Sequence, residues 1–218
     1  FGLQEITNPV AMASYNNSRT RTYKLIGNIY GEFDFSKIAK ALDGLVFRSS
    51  FGGEYAIVNT DTYTPEYYLD AMHFSVVDKA FKGLDMYSRW NFENVLTYTR
   101  SFDVHNLTVM AGTTAFKDMY ENLWGSKNDL IFDDFGHSYL DNATDPESAN
   151  TGGGYSEHTV ASLFARLNYD LMNRYILTAT IRRDGSSRFG DENKYGYFPS
   201  ASIGWVISRE DFMSNLSD

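Results

Sequence analysis

The residues of this chain best equipped for chemistry are the acids between Lys117 and His158: Asp118, Glu121, Asp129, Asp133, Asp134, Asp141, Asp145, Glu147 and Glu157. Oxygen-rich loops bind calcium when their acids follow a fixed order, Asp-x-Asp-x-Asp-Gly closing on a Glu. That order is missing here, so the stretch reads as a solvated acidic surface loop without a metal. The four histidines, His73, His105, His137 and His158, each stand alone in their segments, and no His-Glu-x-x-His pair exists to hold zinc. Thr151-Gly152-Gly153-Gly154 lacks the Lys-Ser or Lys-Thr of a phosphate loop and reads as a flexible loop before a strand. Asp184-Gly185-Ser186-Ser187 lacks the Gly-x-Ser-x-Gly of a nucleophile elbow. A glycan-degrading reading would need two carboxylates facing each other from neighbouring strands, which scattered acids do not establish. No catalytic, cofactor-binding or metal residue is therefore assigned, no cofactor is expected, and the chain is not expected to be an enzyme.

Aromatic side chains are the remaining candidates. Tyr63, Tyr67, Tyr68, Phe74, Phe81, Tyr120, Trp124, Phe132, Phe135 and Tyr139 crowd two stretches expected to be long loops. Such rings could stack on sugars or peptide side chains. Large loops also need small cores of their own, and the preferred reading is that these rings pack the loops against each other or against a partner protein.

The elements that must position these residues are strands. Period-2 alternation recurs seven times, over roughly 21–34, 44–57, 87–101, 105–116, 159–170, 174–183 and 196–208. Residues 174–183 set Tyr175, Leu177, Ala179 and Ile181 against Thr178, Thr180 and Arg182, and with 159–170 they make the clearest hairpin. In the last strand Tyr197, Ala201, Ile203, Trp205 and Ile207 oppose Ser200, Ser202, Gly204 and Ser208, and Pro199 lies near its start, where a missing donor is tolerated.

The connections alternate in length: Phe35 to Asp43, about 58–86, Phe102 to Val104, about 117–158, Leu171 to Asn173, and Asp184 to Tyr195. Compact soluble domains rarely carry long structureless loops, whereas outer-membrane barrels have short periplasmic turns and longer extracellular loops. The parity predicts that strands one, three, five and seven run inward and two, four and six outward. In such a wall the apolar face meets lipid and the polar face meets the lumen. Tyr169, Tyr175 and Trp205 then fall where an inner aromatic girdle would lie.

Composition is compatible with this reading without imposing it. The 218 residues are 43% hydrophobic, with 16 Tyr, 16 Phe, 3 Trp and only 4 Pro, an enrichment that suits strands and membrane interfaces. There is no apolar run long enough for a spanning helix, but barrel strands escape that test. A net charge of -9 with scattered basic residues argues against nucleic acid. The absence of cysteine excludes a disulfide scaffold. The chain opens Phe1-Gly2-Leu3-Gln4, with no initiator Met and no targeting peptide, so it is expected to start within a longer protein.

Arg182-Arg183-Asp184-Gly185-Ser186-Ser187-Arg188-Phe189-Gly190, followed by Tyr195-Gly196-Tyr197-Phe198-Pro199-Ser200 and then Trp205, Ile207, Ser208, Glu210, Phe212 and Met213, resembles the late barrel signature of the SusC/RagA-like family, TonB-linked outer-membrane transporters of the Bacteroidota. Asn8-Pro9-Val10, Gly27-Asn28, Lys40-Ala41-Leu42-Asp43-Gly44-Leu45, Phe47-Arg48-Ser49, Trp90-Asn91-Phe92-Glu93-Asn94, Leu96-Thr97-Tyr98, His105-Asn106 and Ala111-Gly112 extend the resemblance in the family's order. It implies an all-β fold, an antiparallel up-and-down transmembrane β-barrel segment of about seven strands from a larger barrel of about 22 with a plugged lumen. It further implies a SusD-like surface lipoprotein and the TonB complex as partners, outer-membrane lipid around the wall, and uptake of oligosaccharides or peptides in a Gram-negative bacterium. Residues 1–218 would supply about a third of the wall, with the plug domain and the TonB-contacting segment elsewhere. The competing expectation is a soluble or surface-attached β-sandwich that binds glycans. An isolated seven-strand piece would expose two sheet edges.

Overall fold

The computed structural model describes residues 9–15 and 17–216; Asn8 of the Asn-Pro-Val match and the opening Phe1 to Gln4 lie outside them. A short helix, α1 (Pro9–Tyr15), precedes nine strands: β1 (Asn17–Asp34), β2 (Leu45–Thr64), β3 (Tyr67–Tyr68), β4 (Phe74–Ser75), β5 (Lys79–Phe102), β6 (His105–Asn128), β7 (Asn150–Leu171), β8 (Tyr175–Ser186) and β9 (Tyr195–Trp205). Seven of them form one open sheet in the order β1-β2-β5-β6-β7-β8-β9, and β3 and β4 form a small separate hairpin. Each long strand pairs with its neighbour in sequence, the meander expected from the alternating connections. The described residues contain no second large sheet, which removes the sandwich alternative.

The hairpins follow from local chemistry. Between β7 and β8, Met172 and Asn173 both have positive φ (56° and 54°), and the Arg174 N–H reaches the Leu171 carbonyl at 2.9 Å, a type I′ arrangement whose twist suits the flanking strands. Asp170 Oδ1 accepts the Asn173 N–H at 2.7 Å. The register then runs Leu171 with Tyr175 through Leu163 with Arg183 and beyond, and β9 continues it, Tyr175 with Trp205 and Ile181 with Pro199. At the entry to β2, Gly44 has φ +85°, and a Cβ there would run into the Thr99 carbonyl oxygen. Only glycine fits that turn.

Strand lengths depart from expectation. β2 continues through Thr64, β5 begins at Lys79, β6 continues to Asn128 and β7 begins at Asn150, so most of 58–86 and half of 117–158 is strand rather than loop. Thr151-Gly152-Gly153-Gly154, read as a flexible loop, is ladder within β7. β9 stops at Trp205 and gives way to a 3-10 turn at Ile207–Arg209. These extensions carry polar residues on both faces, so no apolar alternation marks them, and their backbone is satisfied by neighbouring strands. The true long connections are 65–78, holding β3 and β4, and 129–149, holding three 3-10 turns.

Contacts divide the chain into two compact units, the first built from Phe1–Leu25, Tyr55–Ser88 and Met119–Ser156, the second from Ile26–Glu54, Arg89–Asp118 and Glu157–Asp218. The first has a core: Tyr63, Ala80 and Leu130 are buried, and Phe135, Leu140 and Ala143 pack against them. Connection 129–149 is pinned there, the Leu130 N–H donating to Asp78 Oδ1 at 2.8 Å and the Asp129 N–H to the Asp78 carbonyl at 3.1 Å. The second unit exposes its apolar side chains: Ile203 is 85% exposed, Ile29 70% and Leu163 55%.

Candidate functional site

The motif Arg182-Arg183-Asp184-Gly185 splits its side chains between the two sheet faces, because successive strand residues point oppositely. Arg182 lies in the row Phe164, Arg182, Phe198. Its Nε donates to Asp184 Oδ1 at 2.6 Å, an NH2 donates to Ser162 Oγ at 2.9 Å and to Thr114 Oγ1 at 3.4 Å, and the guanidinium sits 5.9 Å from the Phe164 ring centre. In the next row on this face Arg166 Nε donates to Thr180 Oγ1 at 3.2 Å, and in the row after that Thr178 Oγ1 donates to Asn168 Oδ1 at 3.0 Å. This face of β7, β8 and β9 is a hydrogen-bonded polar surface, the kind that tolerates water.

Arg183 points the other way, 3.9 Å from the Tyr195 ring centre and 5.9 Å from that of Tyr197. Tyr195 is also why position 185 is glycine: a Cβ would come within 2.5 Å of its ring. The row Leu167, Ala179, Ala201 and the row Tyr169, Leu177, Ile203 continue this apolar face.

On the polar face of β1, β2 and β5 in the second unit, a recess of about 540 Å³ is lined by Tyr30, Arg48, Glu54, Arg89 and Asn91 among others. Arg48 covers the Tyr30 ring at 4.3 Å, and Arg89 Nε pairs with Asp118 at 3.2 Å. Gly52 makes room for Asn91, whose Oδ1 would lie 2.6 Å from a Cβ there.

In the first unit the polar face carries aromatic pairs. Phe81 and Trp124 stack with centroids 6.0 Å apart, and Tyr87 and Tyr120 lie 5.0 Å apart, Tyr120 donating to Asp85 Oδ1 at 2.6 Å. A Cβ on Gly152 would meet the Trp124 indole at 2.6 Å, so the ring lies flat on glycine backbone. The glycine run that resembled a loop is the floor beneath an indole. Of the aromatics assigned to loops, Tyr63, Phe81, Tyr120 and Trp124 lie on strands of the large sheet, and Tyr67, Tyr68 and Phe74 on the small β3–β4 hairpin. Phe135 supports the small core as expected of a loop residue, while Tyr68 and Tyr139 stay exposed.

The acids of 129–149 act as caps and braces. Asp134 accepts the His137 backbone N–H at 3.0 Å and lies 2.8 Å from His137 Nδ1; these contacts hold its carboxyl below the usual range, the His137 side chain contributing most. Asp145 caps the next turn through the Glu147 N–H, and Thr144 donates to Asp129 Oδ2 at 2.6 Å. Among the described residues no three His, Asp or Glu side chains converge as a metal set. Tyr63, at the loop end of β2, is pushed up to about 12, by burial first and then by the negative charge of Asp78, Asp133, Asp134 and Glu66, and its hydroxyl has no partner.

The histidines stay apart. His73 pairs with Asp70, His105 Nδ1 lies 2.6 Å from the Tyr169 hydroxyl, and His158 Nε2 lies 3.2 Å from Ser186 Oγ. That last pair was invisible in the sequence, its members 28 residues apart. Ser186 Oγ also accepts the Arg188 N–H at 3.3 Å, and Ser187 bonds Thr159 both ways, so the Asp-Gly-Ser-Ser stretch braces β8 against β7. Tyr169, Tyr175 and Trp205 do gather near one turn. Beyond the end of β9, Glu210 accepts from the Tyr175 hydroxyl at 2.6 Å, from Trp205 Nε1 at 2.9 Å and from Arg174 at 3.1 Å. Those bonds, Tyr175 foremost, hold its carboxyl below the usual range.

No family model matches the chain. It is similar to TonB-dependent receptor P39 of Formosa agariphila, 30% identical over 81% of this chain and 17% of the relative. P3 of the same organism is 29% identical over 97% of this chain and 20% of the relative. The TonB-dependent receptor SusC of Bacteroides thetaiotaomicron is 27% identical over 96% of this chain and 20% of the relative. Among solved structures, the RagAB peptide transporter superposes with a TM-score of 0.81 at 19% identity, covering 93% of this chain and 22% of that one; the open-open state of the RagAB peptide importer gives 0.71. The chain spans about a fifth of the length of the curated relatives it matches. The fold is therefore that of the RagA barrel wall, in an open seven-strand piece.

Proposed function

We propose, from the premise that this chain is a barrel-wall segment of the SusC/RagA-like TonB-dependent receptors, that it forms about a third of the wall of an outer-membrane importer of oligosaccharides or peptides in a Bacteroidota-like bacterium. The observation that carries this reading is the exposed apolar face of the second unit, with Ile203, Ile29, Leu163 and Ile181 all more than half exposed, opposite a face of hydrogen-bonded arginines, serines and threonines. Lipid is the solvent that makes such a pairing stable.

In this reading the short turns at 103–104 and 172–174 face the periplasm and the longer connections face outward. The polar face lines the lumen. Trp124 on its glycine floor and the Tyr87–Tyr120 pair offer flat apolar area beside polar handles, which suits sugar rings and peptide side chains alike. A SusD-like lipoprotein would meet the outer connections, and the plug and the TonB-contacting segment would come from other parts of the full protein. RagAB is a peptide transporter, which supports a peptide cargo as one of the two classes.

The test uses the absence of cysteine from this chain. In the full transporter in outer membranes, thiols placed singly at Ser200, Ala201, Ser202 and Ile203 are challenged with a water-soluble maleimide. Labelling at 200 and 202 with protection at 201 and 203 is expected; uniform labelling of all four would defeat the reading.

A further inference from the structure

Within the first unit, the face that continues the apolar parity changes character over a few residues. On β1 it reads Leu25, Tyr23, Arg21, Arg19 as the strand is followed back toward its start; on β2, Tyr55, Ile57, Asn59, Asp61; on β5, Met86, Leu84, Lys82. The charged ends converge. Asp61 Oδ2 lies 2.9 Å from an NH2 of Arg21 and 3.5 Å from one of Arg19, and its Oδ1 lies 3.1 Å from Lys82 Nζ. Three cations share one carboxylate, so the cluster keeps a formal surplus of two positive charges. The arginine side chains remain about half exposed. Aromatic rings from connection 129–149 steady the cations, Phe135 5.1 Å from Arg19 and Tyr139 5.2 Å from Lys82.

Beside this cluster opens a recess of about 460 Å³, lined by Arg21, Lys82, Leu84, Leu123 and Leu140 among others. A cationic rim over an apolar floor fits an amphiphile with an anionic head. A neutral sugar would not use the surplus charge, and a soluble anion would not use the leucines. We propose that this recess seats a phosphate-bearing lipid of the outer leaflet, its phosphate on Arg21 and Lys82 and an acyl chain against Leu84 and Leu123. Arginine and lysine suit phosphate through charge-assisted hydrogen bonds, and basic residues beside a membrane surface each add to the attraction for anionic lipid. The inference rests on the barrel reading above, since it needs this face to meet lipid.

The experiment reconstitutes the full transporter in phosphatidylcholine nanodiscs doped with diphosphorylated lipid A and counts retained lipid A by native mass spectrometry. The R21Q/K82Q pair is expected to lower retention roughly thirtyfold, while Arg21→Lys, which keeps the charge, retains most of it. Undiminished retention in the double variant would overturn the proposal and leave an ion-pair network only. Displacement of lipid A by inorganic phosphate alone would also overturn it, in favour of a free-anion site. The maleimide pattern at 200–203, measured on the same variants, separates the two readings: with that alternation intact, lost lipid selectivity sinks this inference alone.

Discussion

The two units of this chain use the same strands and the same alternation but answer to different solvents. Among the described residues, every buried apolar side chain, Ala56, Tyr63, Ala80 and Leu130, belongs to the first unit. There the face that is apolar elsewhere is covered by connection 129–149, or carries Arg19, Arg21, Asp61 and Lys82. In the second unit the same parity places Ile181, Leu177, Ile203 and Leu163 in the open. Burial inside the protein is how water enforces order on the first unit; the second is ordered by its hydrogen-bonded ladder, and in the proposed reading lipid covers its apolar face.

Three comparisons sharpen that contrast. The largest effect belongs to the small core: Tyr63→Ala should cost about 3 to 5 kcal/mol and open 129–149 to protease in the full-length protein. Tyr63→Phe, which removes a buried hydroxyl without a partner, should be neutral or stabilising by the same assay. If both variants behaved alike, the connection would not be held by this core.

A charge distinguishes the solvents next. Ile181→Arg on the exposed face of the second unit should cost about 2 to 4 kcal/mol of folding into bilayers, read from urea titrations of insertion. Ile131→Arg, equally apolar and 62% exposed in the first unit, should stay within about 0.5 kcal/mol. Equal costs at the two positions would erase the distinction between the units.

The smallest effect is one of pH. The carboxyl of Asp134 is depressed by His137, so its contribution is fully present above the unfolded carboxylate pKa, about 3.9, and is lost as pH falls through the lower folded value. Hydrogen exchange in the turn Phe135–His137 should accelerate only below about pH 4, and Asp134→Asn should flatten that dependence. Loss of protection already between neutrality and about pH 5 would show that the Asp134 carboxylate does not hold this turn.

Much of the wall was legible from alternation. The hairpin of β7 and β8 follows from Tyr175, Leu177, Ala179 and Ile181 set against threonines, and its turn from Leu171, Met172 and Asn173. The extensions of β2, β5, β6 and β7 were not. Lys117, Asp118, Glu121 and Asn122 carry no apolar period, and Gly152 to Gly154 look like chain breakers. What keeps these segments extended is pairing with strands many residues away, which no local pattern records. The Asp61 cluster was hidden for the same reason: its four members come from three strands, although each has the parity of the apolar face.

The sequence by itself determined which residues alternate, how many long strands follow, where the tight turns fall, and which barrel family the late Arg-Arg-Asp-Gly-Ser-Ser run resembles, because these are written in neighbouring side chains and in the backbone limits of each residue. Only the tertiary structure decided how far the strands extend, that Trp124 lies on Gly152, that Ser186 meets His158, and that three cations converge on Asp61. Those outcomes depend on register between strands distant in sequence, where a shift of a single residue would send each side chain to the opposite face.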